Sequence, residues 1–159
     1  MTTKFTDEYW MDLALSEANK AFEEDEVPIG AVLVKDNKLI ANDHNRTNQL
    51  NNVLAHAEKQ VIEKIISSQE KFLYDFSLYV TVEPCLMCAG MIIWSRIGKV
   101  VFGCFDPKAG AVGSVYNVLL DKNFNHRPEV VSGIREKECS NLISTFFQKK
   151  REQRILNSG

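Results

Sequence analysis

The stretch Leu78-Tyr79-Val80-Thr81-Val82-Glu83-Pro84-Cys85-Leu86-Met87-Cys88 decides the fold. Its first five residues are leucine, aromatic or β-branched, the composition of a buried strand. Glu83-Pro84 ends that run. Pro84 suits the first turn of a helix, where its missing N–H has no intrahelical bond to lose. The helix that follows carries Cys88, Met91, Ile92 and Ile93, and Lys99-Val100-Val101-Phe102-Gly103 then reads as another strand. Strand, helix and strand in this order imply a parallel pair with the helix lying on one face of the sheet.

Upstream, Trp10, Leu13, Ala14, Ala18, Ala21 and Phe22 recur at helical spacing, and acids crowd the start of that helix, where they suit its dipole. Gly30-Ala31-Val32-Leu33-Val34 and Leu39-Ile40-Ala41 flank the polar Lys35-Asp36-Asn37-Lys38, which predicts a hairpin. Residues 42–54 are polar and rich in Asn, a loop. A second helix is expected from about Ala55, with Val61, Ile62, Ile65 and Ile66 on one face. Downstream lie a glycine-bearing loop over 104–114 and a segment Pro128–Ile134 that fits a short strand or a helical turn. A last helix is expected from about Ser140 to Asn157, with Leu142, Ile143, Phe146 and Phe147 apolar. The expected fold class is α/β, a three-layer α/β/α sandwich, with residues 1–159 forming one domain.

Composition excludes other classes. With 45% hydrophobic and 25% charged residues, the chain is neither disordered, collagen-like nor of low complexity. Ala89-Gly90-Met91-Ile92-Ile93-Trp94, one of its longest apolar stretches, is far short of the roughly 20 residues that span a bilayer. Met1–Glu8 shows no apolar run, so no leader and a cytoplasmic location are expected, with no membrane partner. The net charge of −2 conceals an acidic first 26 residues at −6 and a C-terminal segment in which Lys149, Lys150, Arg151 and Arg154 oppose Glu152. Such a basic end suits either phosphate binding or a solvated helix face. Four cysteines in a reducing compartment do not imply disulfides.

The informative features are His56-Ala57-Glu58 and Pro84-Cys85-Leu86-Met87-Cys88, each at an expected helix start. One imidazole and two thiolates make a three-ligand zinc site with its fourth position open, the pattern of a catalytic site. A zinc ion so held lowers the pKa of a bound water toward neutrality, and Glu58, turned away from the ligand direction, suits proton transfer. His-x-Glu alone carries little information; together with Pro-Cys-x-x-Cys it matches the signature of zinc nucleobase deaminases. A redox cysteine pair and a closed four-ligand zinc are the competing readings. His44, His126, Cys104 and Cys139 show no paired ligand spacing and read as structural.

Glu26–Val34, Asn45-Arg46, Ala55–Glu58, Leu78–Gly90, Ser95–Gly98, Val100–Gly103, Gly110–Ser114, Asn125-His126-Arg127 and Phe146-Phe147 together resemble the cytidine deaminase superfamily. Within it they are similar to the bacterial tRNA-specific adenosine deaminases. The resemblance covers nearly the whole chain and implies a mixed five-stranded sheet of cytidine deaminase type. It further implies hydrolytic deamination of adenosine to inosine at the wobble position of an arginine tRNA, with the adenine flipped out of its loop. Carried over by position, His56, Cys85 and Cys88 would bind one Zn2+ per subunit and Glu58 would shuttle protons. Asn45 would bind the nucleoside, and backbone at Ala57 and Glu83 would read the purine edge. Arg46, Asp106, Lys108, Asn125, Phe147 and Arg151 would contact the tRNA anticodon stem-loop. The family works as a homodimer, whose interface would lie near Ala89–Arg96.

Two stretches depart from the family pattern: Asn51-Asn52-Val53-Leu54 before the histidine, and Phe105 where an arginine is common. Both fall in loops expected to shape RNA binding. From the residues themselves, Phe146-Phe147 beside Lys149-Lys150-Arg151 offers stacking surface next to cationic charge, as single-stranded RNA binding uses. Adjacent helical residues point about 100° apart, so Phe147 is expected exposed and Phe146 buried. A deaminase of a free nucleobase or nucleoside is the alternative within the superfamily, and a non-catalytic zinc-stabilised RNA-binding module is one from another class.

Overall fold

The computed structural model describes residues 3–68 and 70–159. Met1 and Thr2, part of the stretch read for a leader, lie outside the described residues. In chain order the elements are α1 (Asp7–Glu23), β1 (Gly30–Lys35), β2 (Lys38–His44), α2 (Ala57–Ile66), β3 (Phe76–Val82), α3 (Leu86–Ser95), β4 (Lys99–Cys104), β5 (Glu129–Ser132) and α4 (Glu136–Asn157). A 3-10 turn occupies Val118–Leu120. The sheet runs β2-β1-β3-β4-β5. β1 is antiparallel to both of its neighbours, whereas β3, β4 and β5 are parallel. This is the mixed five-stranded, three-layer sandwich expected.

Strand alternation builds the two cores. Leu33, Leu78, Val80, Val100 and Phe102 face Val61, Ile62 and Ile65 of α2 and Ala89 and Ile92 of α3. Val32, Val34, Tyr79 and Val101 face Trp10, Met11 and Ala14 of α1 and Cys139 of α4 on the other side. The hairpin closes through Asp36 and Asn37, both left-handed at φ 52° and 59°, the two-residue turn whose twist matches the flanking strands. Among the described residues, no helix is long and apolar enough to cross a membrane.

Several boundaries differ from the expectation, each for a local reason. Pro84 precedes helix α3 rather than opening it: Cys85 is the N-cap, in extended backbone. The chain stays extended there because Pro84 O accepts from Ala111 N–H at 2.9 Å and Cys85 bridges Gly110. His56 likewise caps α2, which starts at Ala57. β2 reaches His44, into the stretch expected to be loop, and of Pro128–Ile134 the residues Glu129–Ser132 form a strand. α4 starts a turn early because its first residues are polar and carry no apolar period.

The acids of the first 26 residues also divide. Asp7 and Glu8 sit in the first turn of α1, behind the Thr6 cap, and suit the dipole. Glu23, Glu24, Asp25 and Glu26 stand at the other end, where the dipole disfavours them. Partners compensate. His44 lies between Glu17 and Glu24, each ring nitrogen 2.8 Å from a carboxylate oxygen. The fully buried Glu26 accepts from the N–H groups of Asn48 at 2.8 Å and Gln49 at 3.2 Å, which folds the loop after β2.

α1 packs on the sheet so closely that a Cβ at Gly30 would lie 2.0 Å from Ala14 O and 2.5 Å from Ala18 N. Both are helix backbone and cannot swing aside. Gly30→Ala is therefore expected to destabilise the fold by about 1–3 kcal/mol, the usual cost of overpacking, read as a lower urea midpoint. An unchanged midpoint would show that α1 can shift off the sheet freely.

Candidate active site

The N-termini of α2 and α3 meet at the end of the sheet where β3 finishes. His56 and Cys85 are the two N-caps, and among the described residues neither uses its side chain as a cap hydrogen bond. Their side chains turn instead toward each other. His56 Nδ1 lies 3.5 Å from Cys85 Sγ and 3.6 Å from Cys88 Sγ. With Zn–S near 2.3 Å and Zn–N near 2.0 Å, two ligands of a tetrahedral zinc lie about 3.6 Å apart. The spacing of imidazole and thiols thus fits one zinc ion. Among the described residues no fourth His, Cys, Asp or Glu joins these three, so a zinc closed by four such ligands has no support here.

Ionisation follows from these contacts. The Cys88 thiol and then His56 stabilise the Cys85 thiolate, and its pKa falls to about 4. Cys88 is pushed up, first by its bond to Cys85 and then by burial. The Cys85 contact raises His56 against the opposing effect of burial. Glu58, one residue inside α2 and 4% exposed, is raised to about 7, chiefly by burial.

A cavity of about 190 Å3 beside His56 is lined by Val27, Ile29, Asn45, Thr47 and Ala57. Asn45 is buried. Its Nδ2 donates to Val27 O at 3.3 Å, and its Oδ1 finds no hydrogen-bond partner among the described residues. A buried acceptor left open calls for a donor from outside the chain. Glu83 is not among the residues lining this cavity.

Val27 and Ile29 also line a larger groove of about 800 Å3, so the two hollows share a wall. Asp106, Lys108, Phe147 and Arg151 from the expected set meet in that groove, with Lys150 and Arg154 beside them. Phe147 is 42% exposed and Phe146 6%, as the helical offset required. Two residues of that set stand apart. Arg46 is held by Asp43 and Gln49, each at 2.7 Å. Asn125 lies in the exposed loop before β5, beside His126, which contacts Ile97 O at the opposite end of the sheet.

Residues 4–104 match the family model for the cytidine and deoxycytidylate deaminase zinc-binding region. The chain belongs to this deaminase family. The tRNA-specific adenosine deaminase of Bacillus subtilis (strain 168) is 47% identical to it over 149 residues, 93% of this chain and 92% of its own length. That of Agrobacterium fabrum is 47% identical over 145 residues, 90% of this chain and 95% of its own. A structure from a study of A-to-I editing by tRNA:A34 deaminases at the wobble position of transfer RNA superposes with a TM-score of 0.80 at 47% identity. It covers 84% of this chain and 98% of that one.

The deaminase also uses a residue in a way its sequence did not reveal. The Glu83 carboxylate accepts from the N–H groups of Asp106 at 3.0 Å, Val112 at 2.9 Å and Ser114 at 3.0 Å, and from the Ser114 hydroxyl. It gathers the whole loop after β4 onto the strand end that carries Cys85. A Cβ at Gly110 would come 2.2 Å from that carboxyl carbon, so a larger residue there would push the carboxylate off its donors. Glu83-Pro-Cys read as a motif gave the position but not the task, because the four donors lie 23 to 31 residues away.

Burial pushes the Glu83 carboxyl up, but the Ser114 hydroxyl and the three N–H groups outweigh it and hold its pKa below the ordinary 4.5. A depressed carboxyl contributes stability that is fully present above its unfolded pKa and is lost as pH falls through the lowered folded value. Glu83→Gln, which sets an amide NH2 against backbone donors, is expected to cost about 1–3 kcal/mol at neutral pH. That gap should shrink below about pH 4.5, because protonated Glu83 loses its advantage there. Urea titrations of both proteins at several pH values check this, and a pH-independent gap contradicts it.

Proposed function

We propose that this deaminase hydrolyses adenosine to inosine, releasing ammonia, at the wobble position of an arginine tRNA in the cytoplasm. The observation that carries the reading is the shared wall of Val27 and Ile29: a small, mainly apolar cavity at His56, with Asn45 and Thr47 among its lining residues, adjoins a groove bearing an exposed aromatic and arginines. A free base needs only the cavity, whereas a nucleotide within a strand needs the groove as well. The 47% identity to relatives named tRNA-specific adenosine deaminases supports the same substrate.

His56, Cys85 and Cys88 hold one zinc ion per subunit, which when bound supplies a water acidified enough to serve as nucleophile near neutral pH. Glu58, buried beside them, would pass one proton of that water to the purine ring nitrogen and then carry the second, from the hydroxyl added to the ring carbon, to the amine that leaves as ammonia. Asn45 Oδ1 accepts a hydrogen bond from the nucleoside. Backbone N–H at the start of α2, at Ala57, has no intrahelical acceptor and reads the purine edge together with backbone at Glu83. Enclosure by Ala57, Ile29 and Val27 excludes bulk water from the reacting carbon.

The anticodon stem-loop lies along the groove, its bases splayed. Phe147 stacks on one of them, Arg151 takes a phosphate, and Asp106 and Lys108 border the loop. Phe105, which leans edge-on against Phe102 at 5.1 Å, adds aromatic surface to the groove. Asn125 and Arg46 complete the RNA face if a second copy of the chain is present. An apolar surface is available for that homodimer: Trp94, Val53, Leu86 and Leu54 are all exposed.

Zinc-loaded protein incubated with an arginine tRNA bearing a wobble adenosine should yield inosine at that position. Free adenosine, cytidine and guanine should yield no ammonia. Glu58→Gln should keep the zinc content and fold and lose about 10²–10⁴-fold in turnover, the usual contribution of a general acid-base. Ammonia from a free base with the tRNA unchanged would overturn the substrate; an active Glu58→Gln would overturn the proton path.

A further inference from the structure

We infer that Asp25 is a specificity-determining residue of the RNA face, holding Lys150 against α1 and away from indiscriminate phosphate contact. The inference rests on the RNA reading above. Of the acidic run that ends α1, Glu24 is engaged by His44 and Glu26 by the backbone of Asn48 and Gln49. The Asp25 carboxylate pairs instead with the Lys150 ammonium, across to α4.

The backbone at Asp25 makes this pairing notable. Asp25 has φ 62°, the left-handed residue after α1, with its N–H bonded to Phe22 O and the next N–H to Ala21 O. Glycine is the favoured residue at that point of a helix end. A carboxylate stands at that position here, and its partner is a cation of the segment that borders the groove. An exposed pair of this kind adds little stability. What it fixes is the direction of a charge.

Lys150 stands on the ridge between two hollows. It lines the crevice between α1 and α4 together with Phe22 and Asp25, and it also lines the groove with Phe147, Arg151 and Arg154. Lys149 is drawn to the α1 side too, 4.9 Å from the centroid of the Phe22 ring. Lys149 therefore faces α1, Arg151 and Arg154 face the groove, and Lys150 stands between them, tied to the α1 side by Asp25. To recruit Lys150, a phosphate has to displace Asp25. A loop seated in the groove holds a phosphate beside Lys150 at high effective concentration and succeeds. A loose strand does not. Asp25 thus weakens binding of every RNA and weakens it most for those that do not fit.

The test uses the full-length zinc-loaded protein and two probes, an anticodon stem-loop of an arginine tRNA and an oligouridine of equal length. Asp25→Asn removes the charge and tolerates the left-handed backbone. Oligouridine binding should tighten about fivefold near 0.1 M salt, and the slope of log K against log salt should steepen by about 0.7, as one added phosphate contact requires. Stem-loop binding should tighten less, so discrimination between the probes narrows. Asp25→Gly, which suits the backbone, should behave alike, and Lys150→Ala on top of Asp25→Asn should cancel the gain. Unchanged or weaker oligouridine binding, or a gain that survives loss of Lys150, overturns the inference. Arg151→Ala separates the two readings. Weakened stem-loop binding there with no effect of Asp25→Asn removes only the role of Asp25; no weakening removes the RNA reading and this inference with it.

Discussion

The meeting of His56 with Cys85 and Cys88 depends on two helix N-termini being brought to one edge of one sheet. Each helix is only ten residues long and is fixed by its apolar face: Val61, Ile62 and Ile65 of α2 and Ala89 and Ile92 of α3 sit in one buried cluster with residues of β1, β2, β3 and β4. Those contacts set where the first residue of each helix points. Because His56 and Cys85 are the capping residues, neither can move without moving a helix, and neither helix can move without opening the core. The spacing of 3.5–3.6 Å between imidazole and thiols is therefore a property of the packing, present in the chain itself. A site built this way keeps the tolerance of a fraction of an ångström that positioned catalysis requires.

Glu83 extends this rigidity outward. It lies two residues before Cys85, and its carboxylate gathers N–H groups from Asp106, Val112 and Ser114. The strand end that delivers a thiolate and the loop that borders the groove are consequently one unit. On the other side Glu26 does the same for the loop between β2 and α2, whose residues include Asn45, while His44, adjacent to Asn45, is clasped by Glu17 and Glu24. The buried carboxylates Glu83 and Glu26, each answered by fixed donors, hold the loop that borders the groove and the loop that carries Asn45. Buried acids without such partners would be strongly unfavourable, so their satisfaction is also what makes the loops single-valued.

This explains which parts of the molecule its sequence disclosed. Strands and helices were legible because Leu78–Val82 and Val100–Phe102 are buried on both faces and α1 and α2 carry a 3.6-residue period. The metal cluster was legible because its spacing is local, two residues within one helical turn and a third at a helix start. The Phe146-Phe147 pair separated by simple helical geometry. What stayed hidden depends on contacts distant in sequence. Nothing near Glu83 announces donors more than twenty residues on, and nothing near Pro84 shows that Ala111 holds it extended. Asn125 fell at the far end of the sheet because β5 joins beside the start of β4, a topological fact outside any local pattern.

Charge layout follows the same logic. A chain of net charge −2 is a poor general binder of polyanions, and its acidic first 26 residues make it poorer. Yet none of those acids lines the groove, and only Asp25 reaches its edge, through Lys150. Glu17, Glu24 and Glu26 are turned to His44 and backbone donors, and Asp7 and Asp12 pair with Lys99 and Arg135. The charged lining of the groove is Lys108, Lys150, Arg151 and Arg154 against Asp106, beside Phe147, a small cationic strip on a nearly neutral body. On the proposed reading of this groove as the RNA site, weak long-range attraction with a few well-placed local contacts favours an RNA that fits over one that is merely charged. The acidic N-terminal region and the basic C-terminal helix, which look like opposed features along the chain, meet in space through the Asp25–Lys150 pair.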